Sequence, residues 1–507
     1  MLNACTNSDE GTTATPVGSL NNSYINFAIQ VENGQQTSTR ALPAAGENGD
    51  GREAAFEREN AIDGITVIFY GDSINSAADS TLRLVRYFPV TLVSRDATGT
   101  QYSTKTDEAY YTTGFQPLGE TQLDFQQKYH AVVIANRRTD LKEGESKISD
   151  VKKMTTSVVY DGGYTALPST CSNFIITSER DDSIDFSKID SQIKETPNAA
   201  DSGDMYYDLT QQPLRIERMA ARIDFHATCA TKNATKDSVM FNGKDRNGVA
   251  YDGYVYPVWK KTDADATPTS NDRFVVKYVI PFNLNDGEEY MLKRFADGKF
   301  LSDENGKNAV IDPTTTEKTA ETTPSYFLNP LDNLLEEVKN DKETENAYAK
   351  NLVTLHGDIA NGSGMASFTD NGYTGDNLII AYPKENTLQA KAPLYYNATG
   401  VMIVGDYYKG NDANSTPTRY VYFAYLRHQG ESDQAYEPYR YDYEKGGVKD
   451  IDLAKAATNS ATDPMNFGVV RNNIYRVRIN RVNEQGEITL TIKVKKWDPY
   501  THSVIYM

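Results

Sequence analysis

The sequence is short of the residues on which enzymes, metal sites and disulfide frameworks depend. Its 507 residues include 5 histidines, 3 cysteines and 2 tryptophans. No two histidines stand two or four residues apart, the spacing of paired metal ligands. The sequence also has no phosphate-binding loop and no dinucleotide fingerprint. We therefore expect no cofactor, no bound metal and no enzymatic activity.

Long apolar runs and positive charge are missing as well. No stretch approaches the roughly 18 consecutive apolar residues that a transmembrane helix needs. The formal net charge of −18 disfavours binding to nucleic acid, and it disfavours electrostatic attachment to anionic lipid. Three cysteines cannot all pair with one another, so disulfides do not organise the fold.

Strand-forming residues are plentiful. The chain has 34 tyrosines, and tyrosine, threonine and valine recur in short runs separated by Asp, Asn, Gly and Ser clusters. This pattern of short strand-forming runs and turn-forming clusters predicts an all-β fold with a few short helices. The best helix candidate spans residues 329–338, with Asn329 as its N-cap. A chain of this length is expected to form two or three domains. We expect a boundary near Gln212 and Pro213.

Two segments alternate apolar and polar residues with a period of two, as half-buried strands do. The apolar residues of the first segment are Ile25, Phe27, Ile29 and Val31. Those of the second are Ile488, Leu490, Ile492 and Val494. Since the two apolar faces match, both segments are suited to the same kind of groove. The second segment could also pack at home, leaving only residues 500–507 to extend outward.

A lone arginine, Arg40, follows the first segment among polar and Gly-rich residues. Such a stretch is typical of exposed backbone that a protease can reach. Cleavage there would separate Arg40 from Ala41. Arg52 and Arg58 are the nearby alternatives, although glutamates on both sides of Arg58 suit a basic-specific protease less well.

Two short motifs concern location and chemistry. Leu2-Asn3-Ala4-Cys5 matches a bacterial lipobox, in which a small residue precedes a cysteine that becomes lipidated, and a polar tether follows it. Gly71-Asp72-Ser73 matches the nucleophile block of an esterase family. The Asp-x-x-His that would supply the base is absent from the sequence, so we favour a hairpin turn at this position.

Several stretches resemble the fimbrillins of type V (Bacteroidia) pili, most closely the major shaft subunit of minor (short) fimbriae. Ile216-Glu-Arg-Met-Ala-Ala-Arg222 is similar to the segment that opens the family's C-terminal domain. Val469-Val-Arg-Asn-Asn-Ile-Tyr-Arg-Val477, followed by Val494-Lys-Lys-Trp497, is similar to its last strands. Cys5, the early strand and Arg40 match its lipoprotein and propeptide layout.

The resemblance implies two transthyretin-like β-sandwich domains in tandem and an N-terminal propeptide strand. It divides the chain into residues 1–40 (tether and propeptide strand), 41–212 (N-terminal domain) and 213–507 (C-terminal domain). It also implies a donor strand, residues 487–507, whose apolar residues lie in the neighbouring subunit. They are Ile488, Leu490, Ile492, Val494, Trp497, Val504 and Tyr506.

The implied function is that of a fimbrial shaft subunit that supports adhesion and biofilm formation. The precursor would be anchored in the outer membrane through lipid on Cys5, and an arginine-specific protease would release the propeptide. The partners would be other copies of the chain and related anchor or tip pilins at the cell surface. A monomeric adhesin or glycan-binding lipoprotein, and a tip or anchor pilin, are the alternatives.

Overall fold

The computed structural model describes the chain in separate stretches. They are residues 23–31, 52–71, 81–92, 110–119, 121, 123, 128–178, 182–185, 205–210, 213–227, 240–241, 251, 253–261, 270–292, 295–296, 299–300, 327–331, 333–335, 363–364, 368–370, 373–387, 398–410, 412–426, 438–442, 447–449 and 468–498. Every structural statement below concerns these residues.

Strands dominate the first part of the chain. In chain order they are β1 (Ser23–Asn26), β2 (Ala28–Val31), β3 (Arg52–Ala54), β4 (Gly64–Gly71), β5 (Leu84–Pro89), β6 (Thr91–Leu92), β7 (Tyr110–Thr112), β8 (Gln116–Pro117), β9 (Lys128–Ala135), β10 (Thr155–Thr156), β11 (Ile176–Thr177), β12 (Asp182–Asp185), β13 (Met205–Asp208) and β14 (Leu214–Arg218). Two short helices interrupt them, α1 (Glu57–Asn60) and α2 (Ile148–Lys153).

The second part continues in the same way. Its strands are β15 (Arg222–Ala227), β16 (Met240–Phe241), β17 (Tyr254–Pro257), β18 (Arg273–Phe282), β19 (Leu284–Asn285), β20 (Glu289–Tyr290), β21 (Phe295–Ala296), β22 (Lys299–Phe300), β23 (Phe327–Leu328), β24 (Ser363–Gly364), β25 (Phe368–Asp370), β26 (Tyr373–Ala381), β27 (Asn386–Thr387), β28 (Gly400–Tyr408), β29 (Thr418–Tyr425), β30 (Tyr439–Asp442), β31 (Gly447–Lys449), β32 (Gly468–Val469), β33 (Asn473–Asn483) and β34 (Glu487–Asp498). The predicted all-β fold is confirmed.

The N-terminal strands form one large sheet and one small sheet around a shared core. The large sheet has the order β5-β4-β9-β11-β14-β2-β7-β6, with β12 on β9, and the small sheet has the order β13-β1-β8. Side chains from both sheets meet in a single hydrophobic cluster that includes Ile25, Phe69 and Ile134. The segment 23–31 therefore contributes one strand to each sheet.

The C-terminal strands form a two-layer sandwich. One layer has the order β24-β26-β15-β33-β34-β3, with β25 on β26, and the other has the order β16-β17-β18-β28-β29-β30-β31. Phe225 and Val477 of the first layer pack with Phe274 and Ile403 of the second in one core. Alternation along β28 places Met402 and Val404 on the opposite face, in a separate cluster.

The helix predicted over residues 329–338 has a different cap, and its residues 332 and 336–338 lie outside the described residues. Residues 331 and 333–335 are helical. The first free backbone donor, Leu331 N, bonds to the side-chain oxygen of Asn283 at 2.9 Å, while the Asn329 amide donates to Pro281 O at 3.3 Å. A residue distant in sequence thus caps the helix, and Asn329, at φ 50°, forms the turn before it. The predicted cap was wrong.

The chain passes from the N-terminal sheet to the C-terminal sandwich a few residues beyond the expected domain boundary. β14 begins at Leu214, yet it pairs with β2 and β11 of the N-terminal sheet. The chain joins the C-terminal sandwich with β15, at Arg222. In contrast, β3 comes from the N-terminal part of the chain and pairs with β34 of the C-terminal sandwich. The domain limits themselves stay a prediction. No helix in the described stretches is long and apolar enough to span a membrane.

Candidate functional site

The segment 23–31 occupies an interior position in the N-terminal sheets. β2 lies between two neighbours, with Leu214 to Ile216 of β14 parallel on one side and Tyr110 to Thr112 of β7 antiparallel on the other. β1 lies in the same manner between β13 and β8. Without this segment, the small sheet would lose its middle strand and the large sheet would have an open slot. We call the space that the segment fills in the two sheets the groove.

The apolar face of the segment is completely buried. Ile25, Phe27, Ile29 and Val31 are each 0% exposed. Phe27 packs against Phe69 and Phe88, with ring centroids 5.6 Å away in both cases. Burial of four such side chains contributes about 6–12 kcal/mol before the cost of ordering. An intact chain should therefore keep the segment seated.

Polar contacts hold the segment where it passes from one sheet to the other. At this point Phe27 N donates to Thr113 Oγ1 at 2.9 Å, and Thr112 Oγ1 donates to Asn26 Oδ1 at 2.7 Å. Thr113 N in turn donates to Phe27 O at 3.1 Å. The break between β1 and β2 thus leaves these backbone groups paired. Removal of the segment would leave buried donors and acceptors of the groove unpaired.

The three arginines near the segment differ in setting. Arg52 begins β3, whose backbone pairs with Lys496 to Asp498 of β34. Arg58 lies in α1, where its guanidinium sits 4.6 Å from the Phe56 ring centroid and bonds to Tyr382. Both are thus held in regular structure, which a protease must first open. Arg40 and Ala41 lie outside the described residues, as does Cys5.

Most of the predicted donor residues are packed within their own domain. β33 and β34 form a long antiparallel hairpin in which Tyr475 opposes Val494. The most deeply buried of the predicted donor residues are Ile488, Leu490, Val494 and Trp497, at 0–2% exposure, while Ile492 is half-buried. Ile488, Leu490, Ile492 and Val494 pack in the core of the C-terminal sandwich, whereas Trp497 packs in the hydrophobic cluster of the N-terminal sheets. Val504 and Tyr506 lie outside the described residues.

Trp497 ends this hairpin in a buried polar cluster. Its indole Nε1 donates to Glu59 Oε2 at 3.0 Å, and its carbonyl accepts from Arg218 Nη1 at 2.9 Å. Tyr382 stacks on the indole at 5.7 Å between ring centroids and donates its hydroxyl to Glu59. Burial, with Glu59 adding to it, holds the pKa of Tyr382 well above its usual range, so it remains a donor.

Stretches that resemble the fimbrillin family meet at this cluster. Arg218 and Arg222 come from one motif, and Trp497 comes from another. Arg218 also donates to Asn472 at 2.9 Å. Arg222 holds Asp224 through two bonds of 2.9 Å. Glu59 was missed by sequence reasoning, because its partner Trp497 is 438 residues away and neither residue shows a periodic signal.

A second buried ion cluster joins the two parts of the chain. Arg471 donates to Glu385 Oε2 at 3.1 Å and lies 3.6 Å from Glu289 Oε1. Burial raises the pKa of Glu289 to about 7, against the opposing effect of Arg471, and Glu385 adds to the rise. Lys384 donates to Ser157 O across the junction at 2.7 Å. This cluster ties β20 and its surroundings to residues 154–160.

The described stretches contain no candidate metal site. No group of three or more His, Cys, Asp or Glu side chains in the described stretches is placed to hold a metal. Cys171 is a buried free thiol, and burial raises its pKa to about 11. Gly71 ends β4, and the rest of the Gly-Asp-Ser motif lies outside the described residues.

The sequence matches no family model and no curated protein. Solved structures resemble it over nearly the full length of both chains. A proposed cell adhesion protein from Parabacteroides distasonis is 13% identical, with 96% of this chain and 98% of that chain covered and a TM-score of 0.40. The tip fimbrial protein Mfa3 from Porphyromonas gingivalis is 9% identical, with 94% and 100% covered and a TM-score of 0.39.

A fimbrilin from Porphyromonas gingivalis is 12% identical, with 94% of this chain and 98% of that chain covered and a TM-score of 0.32. These neighbours are fimbrial and adhesion proteins of Bacteroidia, and none of the three is named as an enzyme. At identities and TM-scores this low, we base no further conclusion on the likeness.

Proposed function

We propose that the protein is a structural subunit of a cell-surface fibre, stored in an inactive form by its own residues 23–31. The observation that carries this proposal is the position of that segment. It is an interior strand with a fully buried apolar face, and it is joined to β3 by residues 32–51. Within that linker Arg40 is the one arginine, and lysine is absent.

Cleavage after Arg40 changes the segment from part of the chain into a separate peptide. While it is attached, its local concentration at the groove is high, and a competing strand is excluded. Once it is detached, the segment dissociates at a finite rate, and a strand from a second copy takes its place. This is strand addition, in which main-chain pairing provides affinity and alternate side chains provide specificity.

We assign the donated strand to the residues after Asp498. β34 uses Ile488, Leu490 and Val494 for its own core, so giving them up would dismantle the C-terminal sandwich. Residues 499–507 include Val504 and Tyr506, which remain the proposed donor side chains. Pro499 cannot donate a ladder hydrogen bond, which suits a corner between the home strand and the donated one.

The remaining features belong to the same proposal. Lipid on Cys5 would hold the precursor in the outer membrane, and an arginine-specific protease would release it there. A shaft role follows because a tip subunit has no need of a donor strand and an anchor has no need of a cleavable arginine. Anchor and tip pilins would be its partners at the fibre ends.

Limited digestion with an arginine-specific protease tests this maturation step. We expect one early cut, and a product whose N-terminal residue is Ala41. Arg40→Gln should abolish the cut, whereas Arg52→Gln, the matched control in β3, should leave it unchanged. An early cut at Arg52 or Arg58 in the wild-type chain would overturn the assignment, because it would show that the ordered strand or helix is the accessible site.

A monomeric adhesin is the second candidate, and one cleft favours it. The cleft has a volume of about 400 Å³ and is lined by polar and aromatic side chains that include Asp63, Tyr87, Arg137 and Arg138. The Arg138 guanidinium lies 3.8 Å from the Tyr87 ring centroid. A space of this size suits a small polar ligand. Glycan binding by cleaved, strictly monomeric protein, lost in Arg138→Ala, would favour this candidate.

A further inference from the structure

One aromatic residue of the segment 23–31 points away from the buried apolar face. Tyr24 pairs in register with Tyr206 of β13. Their rings are stacked, with centroids 4.8 Å apart and an interplanar angle of 5°. Both side chains are only half-buried. The contact therefore lies outside the buried apolar face and adds an interaction that the four core side chains do not supply.

A third ring completes this arrangement. Phe115 lies in the turn between β7 and β8, the strands that flank the segment on its other side. It meets Tyr206 edge to face, with centroids 5.3 Å apart and an interplanar angle of 87°. Phe115 is 37% exposed, one of the few large apolar side chains exposed to this degree in the described stretches.

The two rings belong to the groove, while Tyr24 belongs to the strand that fills it. If the segment leaves, Tyr206 loses its stacking partner and Phe115 keeps its exposed face. Offset or edge-to-face aromatic pairs gain energy beyond that of buried area alone. An occupant without a ring at this position therefore loses affinity, even when its apolar face fits the core.

We propose that Tyr206 and Phe115 form an aromatic clasp that makes the groove selective for a strand with an aromatic residue at the position of Tyr24. The ligand is an extended peptide in which this residue stands immediately before an alternating apolar face. The occupant we assign is residues 23–31, in the intact chain and as the released peptide. The exchange step rests on the proposed function, whereas the clasp itself does not.

The clasp is tested first in the intact, uncleaved chain. Tyr24→Leu and Tyr206→Leu retain apolar volume and remove a ring, and together with the double variant they form a double-mutant cycle. We expect each single variant to lower the folding equilibrium constant about threefold to tenfold, and the double variant to lower it little further. Tyr24→Phe should behave like wild type. Additive effects of the two leucine substitutions would overturn the clasp.

Release of the segment after cleavage at Arg40 supplies the second measurement. With a fluorophore on residues 1–40, Tyr24→Leu and Phe115→Ala should accelerate release about threefold to tenfold, and Tyr24→Phe should not. Leu167→Ala, which removes a side chain of similar exposure (39%), is the control and should leave the rate unchanged. Equal release rates for Tyr24→Leu and Tyr24→Phe would contradict the proposed selectivity.

The two failures can be told apart. If the segment never leaves the cleaved chain in any variant, strand exchange is wrong, while the cycle in the intact chain still decides the clasp. If the segment leaves at one common rate and the cycle shows no coupling, the clasp is wrong, while the release that strand exchange requires is still observed.

Discussion

Arg218 donates to the backbone carbonyl of Trp497 at 2.9 Å, across a sequence separation of 279 residues. Arg218 ends β14, whose first three residues pair with the segment 23–31. Trp497 is the penultimate residue of β34, just before the proposed donor residues. One strand therefore connects the groove to the end of β34, so the proposed acceptor and donor sites would share a rigid element.

Glu59 should be essential to this junction. It accepts hydrogen bonds from the Trp497 indole and from Phe56 N, and it lies 3.4 Å from Arg222 Nη1. Glu59→Gln removes the buried charge that faces Arg222, so we expect a loss of about 3–5 kcal/mol in the free energy of unfolding. Denaturant titration measures it.

Glu145→Gln is the matched control for that variant. Glu145 pairs with Lys142 at 3.3 Å, but both side chains are about 70% exposed. We expect no measurable change in the denaturation midpoint, because exposed ion pairs contribute little. Equal effects of the two substitutions would contradict the role assigned to Glu59.

Phe27 should stabilise the chain only while the segment is attached. Phe27→Ala removes a fully buried ring, so the uncleaved chain should lose about 3–5 kcal/mol in the free energy of unfolding. After cleavage at Arg40 and loss of the peptide, the same substitution should have no effect. Phe69→Ala, in the groove wall, should destabilise both forms. A cleaved chain that still responds to Phe27→Ala would show that the segment has stayed in place.

Glu289 should give the protein a measurable pH dependence. Its pKa is about 7 in the folded chain and near 4.5 in the unfolded chain, so the folded state binds the proton more tightly. This contribution is fully present below pH 4.5 and is lost as the pH rises to about 7, a span worth about 3 kcal/mol.

The comparison with Glu289→Gln isolates this contribution from that of other carboxyl groups. The difference in unfolding free energy between wild type and Glu289→Gln should fall steadily between pH 4.5 and 7 and should level off above it. Val151→Ala, which truncates a buried apolar side chain of α2 and removes no titratable group, is a suitable control and should give a flat difference. A flat difference for Glu289→Gln would refute the raised pKa.

Local pattern explains how much of the structure could be predicted. Alternation correctly predicted strands at residues 24–31 and 487–497, because a half-buried strand needs that period whatever it packs against. The same pattern could not tell whether Leu490 packs at home or in a neighbour, since both cores accept the same face. Only tertiary contacts place it in its own sandwich.

Buried polar contacts were the least predictable part. The Glu59–Trp497 bond joins two residues with no periodic signal, and the helical turn that begins at Leu331 is capped by Asn283 rather than by the neighbouring Asn329. Such pairs depend on how separate segments meet in space. Arg218 and Arg222 were singled out in the sequence only through the family resemblance, which gave no indication of what they would bind.

The central claim is that cleavage after Arg40 turns a stored monomer into a subunit that joins others through residues 499–507. The most direct test is the mass distribution of the cleaved protein, measured by light scattering during native size separation. We predict a ladder of polymers for the wild type, monomers for uncleaved Arg40→Gln, and cleaved monomers for a chain that lacks residues 499–507. A wild-type chain that is cleanly cleaved after Arg40 and still monomeric at high concentration would contradict the account.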